Sequence, residues 1–136
     1  MEEEVTILDR LGGEETVARL VDQFYDRVVR NESLAPLFAS SDIDEVKRKQ
    51  TLFLTQFLGG PPRYSEEFGH PMLRYRHLPF PITPARAEEW LACMAGAMDD
   101  IGLQGPVREF FYGRLTQVAH HMVNTNTQED DSPLDR

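Results

Sequence analysis

Val17, Leu20, Val21, Phe24, Tyr25 and Val28 fall three and four positions apart, the spacing that lines up side chains along one face of an α-helix. The pattern predicts a helix over Glu14–Arg30, after a Gly12-Gly13 break that closes a short leading segment. Ser33–Phe38 reads as a short turn of helix or a tight loop, and Asp42 or Asp44 offers a carboxylate to cap the helix after it. That helix starts near Asp44 and places Ile43, Val46, Gln50, Phe53, Leu54 and Phe57 on one face, until Gly59-Gly60-Pro61-Pro62 stops it. From Arg63 to Pro81 the spacing is irregular, and Gly69, Pro71, Pro79 and Pro81 leave room for one short helix around Met72–His77. Thr83-Pro84 is a cap followed by proline at the first helical position, and Ala87, Trp90, Leu91, Met94, Met98 and Ile101 extend one face to Gly102. Gly105-Pro106 opens a last helix, with Val107, Phe110, Phe111, Leu115, Val118 and Met122 in helical period to about Asn124. Strict alternation and long-period repeats are both missing, so the expected class is all-α.

Length and charge narrow the picture. A chain of 136 residues that is 40% hydrophobic supports one core, so a single domain is expected over residues 1–125, with the polar stretch 126–136 read as a disordered tail. Lys and Arg number 14 against 23 Asp and Glu, a net charge of −9 that would oppose binding to polyanionic nucleic acid. One cysteine cannot form an internal disulfide, and the N-terminus lacks the basic start and apolar run of a secretory signal. With no stretch apolar enough to span a membrane, a cytoplasmic location is the expectation.

Candidate chemistry concentrates on His77, at the end of a short predicted helix beside Leu73, Arg74 and Arg76. A haem site needs a neutral imidazole for the iron, apolar walls for the macrocycle and cations for the propionates; Arg74, Arg76 and Lys49 are available as those cations. On residue type alone the favoured reading is a structural His77 that closes a loop onto a backbone carbonyl. Tyr25, Gln50 and Trp90 put polar tips on the apolar faces of three different helices, and each requires a partner if buried. Together they form a donor-rich pocket suited to an oxygen that gains negative charge; singly, each also fits a satisfied core position. Other motifs are weaker. Glu67 and His70 match one Glu-x-x-His element of a di-metal bundle, without a second copy and in a segment read as loop. His120 and His121 diverge by about 100° on a helix and cannot readily chelate one ion. Cys93, lacking a Cys-x-x-Cys partner, reads as a small buried hydrophobe.

The runs LGGEETVARLVDQFYDRV, FLTQFLGGPPRYSEEFGHPMLRYRHLPFPIT, RAEEWLACMAGAMDDIGL and AHHMVN resemble the group II truncated haemoglobins, over about residues 5–125. That resemblance implies a globin-like, two-over-two helical sandwich holding haem b. It assigns the proximal iron ligand to His77, the distal tyrosine to Tyr25, the pocket tryptophan to Trp90 and a polar ligand-contacting position to Gln50. Phe38 takes the aromatic position against the haem, while Arg76 and Tyr64 match propionate contacts. Val46 stands where a full-size globin has its distal histidine; having no donor, it can gate only by bulk. Phe53, Leu54, Met72, Leu73, Phe80 and Met94 complete the expected haem contacts.

The function so implied is reversible binding of oxygen, carbon monoxide or nitric oxide at a five-coordinate iron. An alternative is a haem enzyme that reduces peroxide or oxidises nitric oxide with bound oxygen, served by an unidentified reductase. The partners expected are diatomic ligands, with no nucleic acid or membrane, in a monomer or weak homodimer.

Overall fold

The computed structural model describes residues 5–69 and 82–124. His70, Met72, Leu73, Arg74, Arg76, His77, Phe80 and the tail over 126–136 therefore lie outside the described residues. Among those described there are helices and no strand. Their order is α1 (Ile7–Leu11), α2 (Glu14–Val28), a 3₁₀ turn (Ala35–Phe38), α3 (Ile43–Phe57), α4 (Arg63–Phe68), α5 (Pro84–Asp100) and α6 (Pro106–Met122).

Local chemistry explains most of the boundaries. The leading segment is itself a helix: Thr6 Oγ1 accepts from Asp9 N at 3.0 Å while Thr6 N donates to Asp9 Oδ2 at 3.1 Å, a reciprocal cap. α1 docks on the end of α3 through Leu8 N, which donates to the Leu58 carbonyl at 3.0 Å. Gly60 makes that approach possible, since a Cβ there would sit 2.5 Å from Leu8 Cδ2 and 2.9 Å from the Thr55 carbonyl oxygen. Asp42, rather than Asp44, caps α3, accepting from Asp44 N and Glu45 N. Thr83 caps α5 by accepting from Arg86 N at 3.1 Å, with Pro84 opening the helix.

Two sequence expectations need correction. Arg63–Phe68, read as irregular, is helical. A helix of six residues cannot form on propensity alone. Neighbours hold it in place: Gln56 Nε2 donates to Ser65 Oγ and Ser65 N to Gln56 Oε1, both at 2.9 Å. Arg48 also reaches Glu67 at 2.5 Å and Glu45 at 2.9 Å. Phe110, assigned to the buried face of α6, is instead 50% exposed. Consecutive residues stand about 100° apart on a helix, so Phe110 and Phe111 cannot both face the core. Phe111 takes the buried place. The Arg114 guanidinium lies over Phe110 and Phe57, 5.9 and 5.2 Å from the ring centroids.

The predicted face of α2 is buried in full, packing on both α3 and α5, while α6 packs on α5 and meets α1. Phe24, Phe111, Leu20, Leu54, Met94 and Met98 are the largest fully buried side chains. Cys93 is buried, as expected, and burial pushes its thiol up. No described helix is long and apolar enough to cross a membrane.

Hydrogen bonds from Arg48 hold the Glu45 and Glu67 carboxyls below the ordinary value of 4.5. A lowered folded-state value means that the stabilisation is complete above the ordinary value and is lost as pH falls through the lowered one. Arg48→Gln should therefore lower the Tm slightly at neutral pH and leave it unchanged at acid pH, where the carboxyls are protonated, so that the acid limb of the Tm-against-pH profile is flatter. A variant that kept the wild-type acid limb would contradict the assignment.

Candidate haem and ligand site

Between α3, α5 and α6 lies a cavity of about 360 Å³. Its wall begins on α3, where Val46, Lys49, Gln50, Phe53 and Leu54 recur with helical period and so share one stripe. Tyr25 comes from α2, Leu34, Leu37, Phe38 and Ser41 from in and around the 3₁₀ turn, and Tyr64 from α4. Ile82, Arg86, Ala87 and Trp90 enter from α5 and the residues before it, and Leu115, Val118, Ala119 and Met122 from α6.

Nine of the residues expected at the site thus line one space: Tyr25, Phe38, Val46, Lys49, Gln50, Phe53, Leu54, Tyr64 and Trp90. Met94 does not join them. It is 0% exposed and packs in the main core cluster. His77, Met72, Leu73, Arg76 and Phe80 fall outside the described residues.

Sequence reading missed the α6 side of the wall and the role of Arg86. Leu115, Val118 and Met122 were legible as an apolar helical face, but nothing in periodicity tells a core-facing residue from a cavity-facing one. Phe24 was legible only as core, yet it holds the site's aromatics in place. Its ring meets Tyr25 edge-on at 4.8 Å and Trp90 at 5.0 Å, and Tyr25 in turn meets Phe38 at 5.7 Å. A fully buried phenyl ring therefore fixes the two aromatic donors of different helices relative to one another.

Tyr25, Gln50 and Trp90 make no side-chain hydrogen bond among the described residues. Yet no described buried side-chain nitrogen or oxygen lacks a partner, so these tips open onto the cavity instead of being sealed in the core. Burial drives the Tyr25 phenol well above its ordinary value of 10.0, so its hydroxyl keeps its proton and stays a donor.

Cations border the same space. Lys49 lines it while remaining exposed, with Nζ 5.2 Å from the Phe68 ring centroid. Arg86 lines it and donates through Nε to the Ser33 carbonyl at 3.3 Å. Apolar walls, three donors and two bordering cations form a set that fits an iron porphyrin, whose flat apolar ring carries two carboxylates on one edge. None of the described lining residues is a histidine. Of the other candidate ligands, Glu67 is paired with Arg48 and His120 with Glu88 at 3.1 Å, while His70 lies outside the described residues.

The family model for bacterial-like globins matches residues 6–124. The chain is 59% identical over 120 residues to the group 2 truncated haemoglobin YjbI of Bacillus subtilis, covering 88% of this chain and 90% of that protein. It superposes on the crystal structure of the group II truncated haemoglobin of Bacillus anthracis with a TM-score of 0.90, at 51% identity over 96% of this chain and 100% of that one. The X-ray structure of a truncated oxygen-avid haemoglobin from Bacillus subtilis gives 0.84, at 57% identity over 88% and 99% of the two chains. Matched by the family model over nearly all its described residues, and by relatives at this identity, the chain belongs to the bacterial-like globin family, as a haem-binding globin of the truncated haemoglobin type.

Proposed function

We propose that this globin binds haem b in the described cavity through His77 and retains oxygen there by hydrogen bonds from Tyr25, Trp90 and Gln50. The observation that carries the reading is the set of three unpartnered polar tips on one apolar wall. Groups of this kind, without a protein partner and open onto an apolar cavity, are placed to donate to whatever occupies it. The oxygen-avid relative from Bacillus subtilis supports the same reading.

The haem, when bound, supplies an iron that takes oxygen, carbon monoxide or nitric oxide reversibly. The chain's own residues set what happens around the ligand. Trp90 donates through its indole N–H and accepts nothing; Tyr25 donates through a hydroxyl that burial keeps protonated; Gln50 donates through its amide. Val46 occupies the wall beside them with bulk alone. Lys49, Arg86 and Tyr64 line the same space and would border the propionates, and the resemblance adds Arg76. These donors favour a ligand that gains negative charge over one that stays neutral, so oxygen should be held more firmly than carbon monoxide relative to an apolar pocket.

A hydrogen bond to a charged acceptor contributes about 1.5–3 kcal/mol, so losing one should accelerate oxygen release by roughly ten-fold or more. Stopped-flow release from the haem-loaded Trp90→Phe variant tests this, and a rate equal to wild type would reject the role of Trp90. His77→Gly should lose the proximal ligand, seen as a changed ferrous spectrum that added imidazole restores; a spectrum indifferent to the substitution would reject His77. Because the Tyr25 hydroxyl stays protonated, oxygen release should show no Tyr25-dependent inflection as pH is raised through 10.0, the ordinary tyrosine value. An inflection present in wild type and missing in Tyr25→Phe would contradict that protonation state.

A further inference from the structure

α2 and α5 carry Tyr25 and Trp90, and they cross with only apolar side chains between them at the core. Side chains that interdigitate at such a crossing allow a small set of registers, and directional bonds select among them. Two polar ties join α5 to the C-terminal turn of α2 and the residues just after it. At one side, Arg27 Nε and Nη2 donate to Asp100 Oδ2 and Oδ1 at 2.8 and 2.9 Å, a two-pronged bond between the end of α2 and the end of α5. On the other, Asn31 Nδ2 donates to Glu89 Oε1 at 2.7 Å, next to Trp90 in sequence. Glu89 and Asp100 are eleven residues apart, about 16 Å along the axis, so the ties meet α5 at two well-separated points.

The first tie depends on a residue with no side chain. The Arg27 guanidinium lies on Gly96, where a Cβ would stand 2.5 Å from Cζ and Nη1 and 2.8 Å from Nε. Carbon atoms prefer about 3.5–4.0 Å, so only a bare helix surface admits the guanidinium at this depth. Helix interiors disfavour glycine, and nothing else at Gly96 calls for one: its backbone is regular helix, outside the left-handed region.

We infer that Arg27, seated on Gly96 and bound to Asp100, sets the register of α2 on α5 and thereby aims the Tyr25 and Trp90 donors at the ligand. These three are positioning residues: none of them lines the cavity. They act through Phe24, whose ring touches both donors, so a slip of α2 along α5 moves Tyr25 and Trp90 relative to one another. The inference rests on the donor reading of the pocket proposed for oxygen binding.

The test uses haem-loaded protein with Gly96→Ala and, separately, Asp100→Asn. Gly96→Ala should fold well, since the group in its way is the far end of a flexible side chain and alanine suits a helix better than glycine. Its Tm should equal or exceed wild type. The infrared C–O stretch of the carbon monoxide form should nevertheless rise or broaden, as it does when a donor leaves the ligand. Oxygen release should quicken about three-fold, less than for outright loss of a donor, because misaligned hydrogen bonds weaken before they break. Asp100→Asn should shift both readouts the same way. In an Arg27→Ala background Gly96→Ala should add nothing, because both act on one tie. Tyr25→Phe and Trp90→Phe serve as references. Were these to move the stretch and the release rate while Gly96→Ala and Asp100→Asn left both at wild type, the register role would be overturned and the donor pocket would stand. If none of the four moved them, the donor pocket would fall and the register role with it.

Discussion

The constraint on which this structure depends is the presence of unpaired hydrogen-bond donors beside an apolar cavity. Proteins satisfy nearly all their buried polar groups, and this one does so everywhere its described core is sealed. Where the packing opens, a phenol, an amide and an indole from three helices, each without a protein partner, face one space. Consistency at every other level, from caps to core packing, makes that local departure informative about function.

Everything nearby serves to keep those donors in place. Phe24 wedges Tyr25 and Trp90 apart at fixed distance, and Phe38 closes on Tyr25 from the 3₁₀ turn. α4 is pinned to α3 by Gln56, Ser65, Arg48 and Glu67, which keeps Tyr64 at the cavity wall. Lys47 reaches across from α3 to Asp22 of α2 at 2.9 Å, on the outer side of the same helix pair. Such exposed ion pairs contribute little energy singly and add to a placement that side-chain packing already confines to a few registers.

The sequence disclosed the long helices well because each has a continuous apolar face and a recognisable stop. α2 buries every residue its periodicity selected, and the caps at Asp42 and Thr83 lie where the side-chain chemistry demanded them. Legibility failed where tertiary contacts, not local pattern, made the structure. Nothing in Arg63–Phe68 announces a helix until Arg48 and Gln56 are brought against it. Met94 and Phe110 show the same limit at residue level: an apolar residue at helical spacing is predicted to be buried, but which neighbour it meets depends on a rotation that spacing does not specify. The site was more legible than a geometry-free reading had reason to give, because polar tips on apolar faces stand out. Gly96 was invisible, since its role arises only when Arg27 of another helix lies on it.

The most direct measurement is the diffraction map of this protein reconstituted with hemin. One porphyrin should lie between α3, α5 and α6, its iron held by the His77 imidazole, with Tyr25, Gln50 and Trp90 gathered on the opposite face. A ring lodged elsewhere, or iron held by a different side chain while those three tips turned to other partners, would contradict the assignment of this cavity as the haem and ligand site.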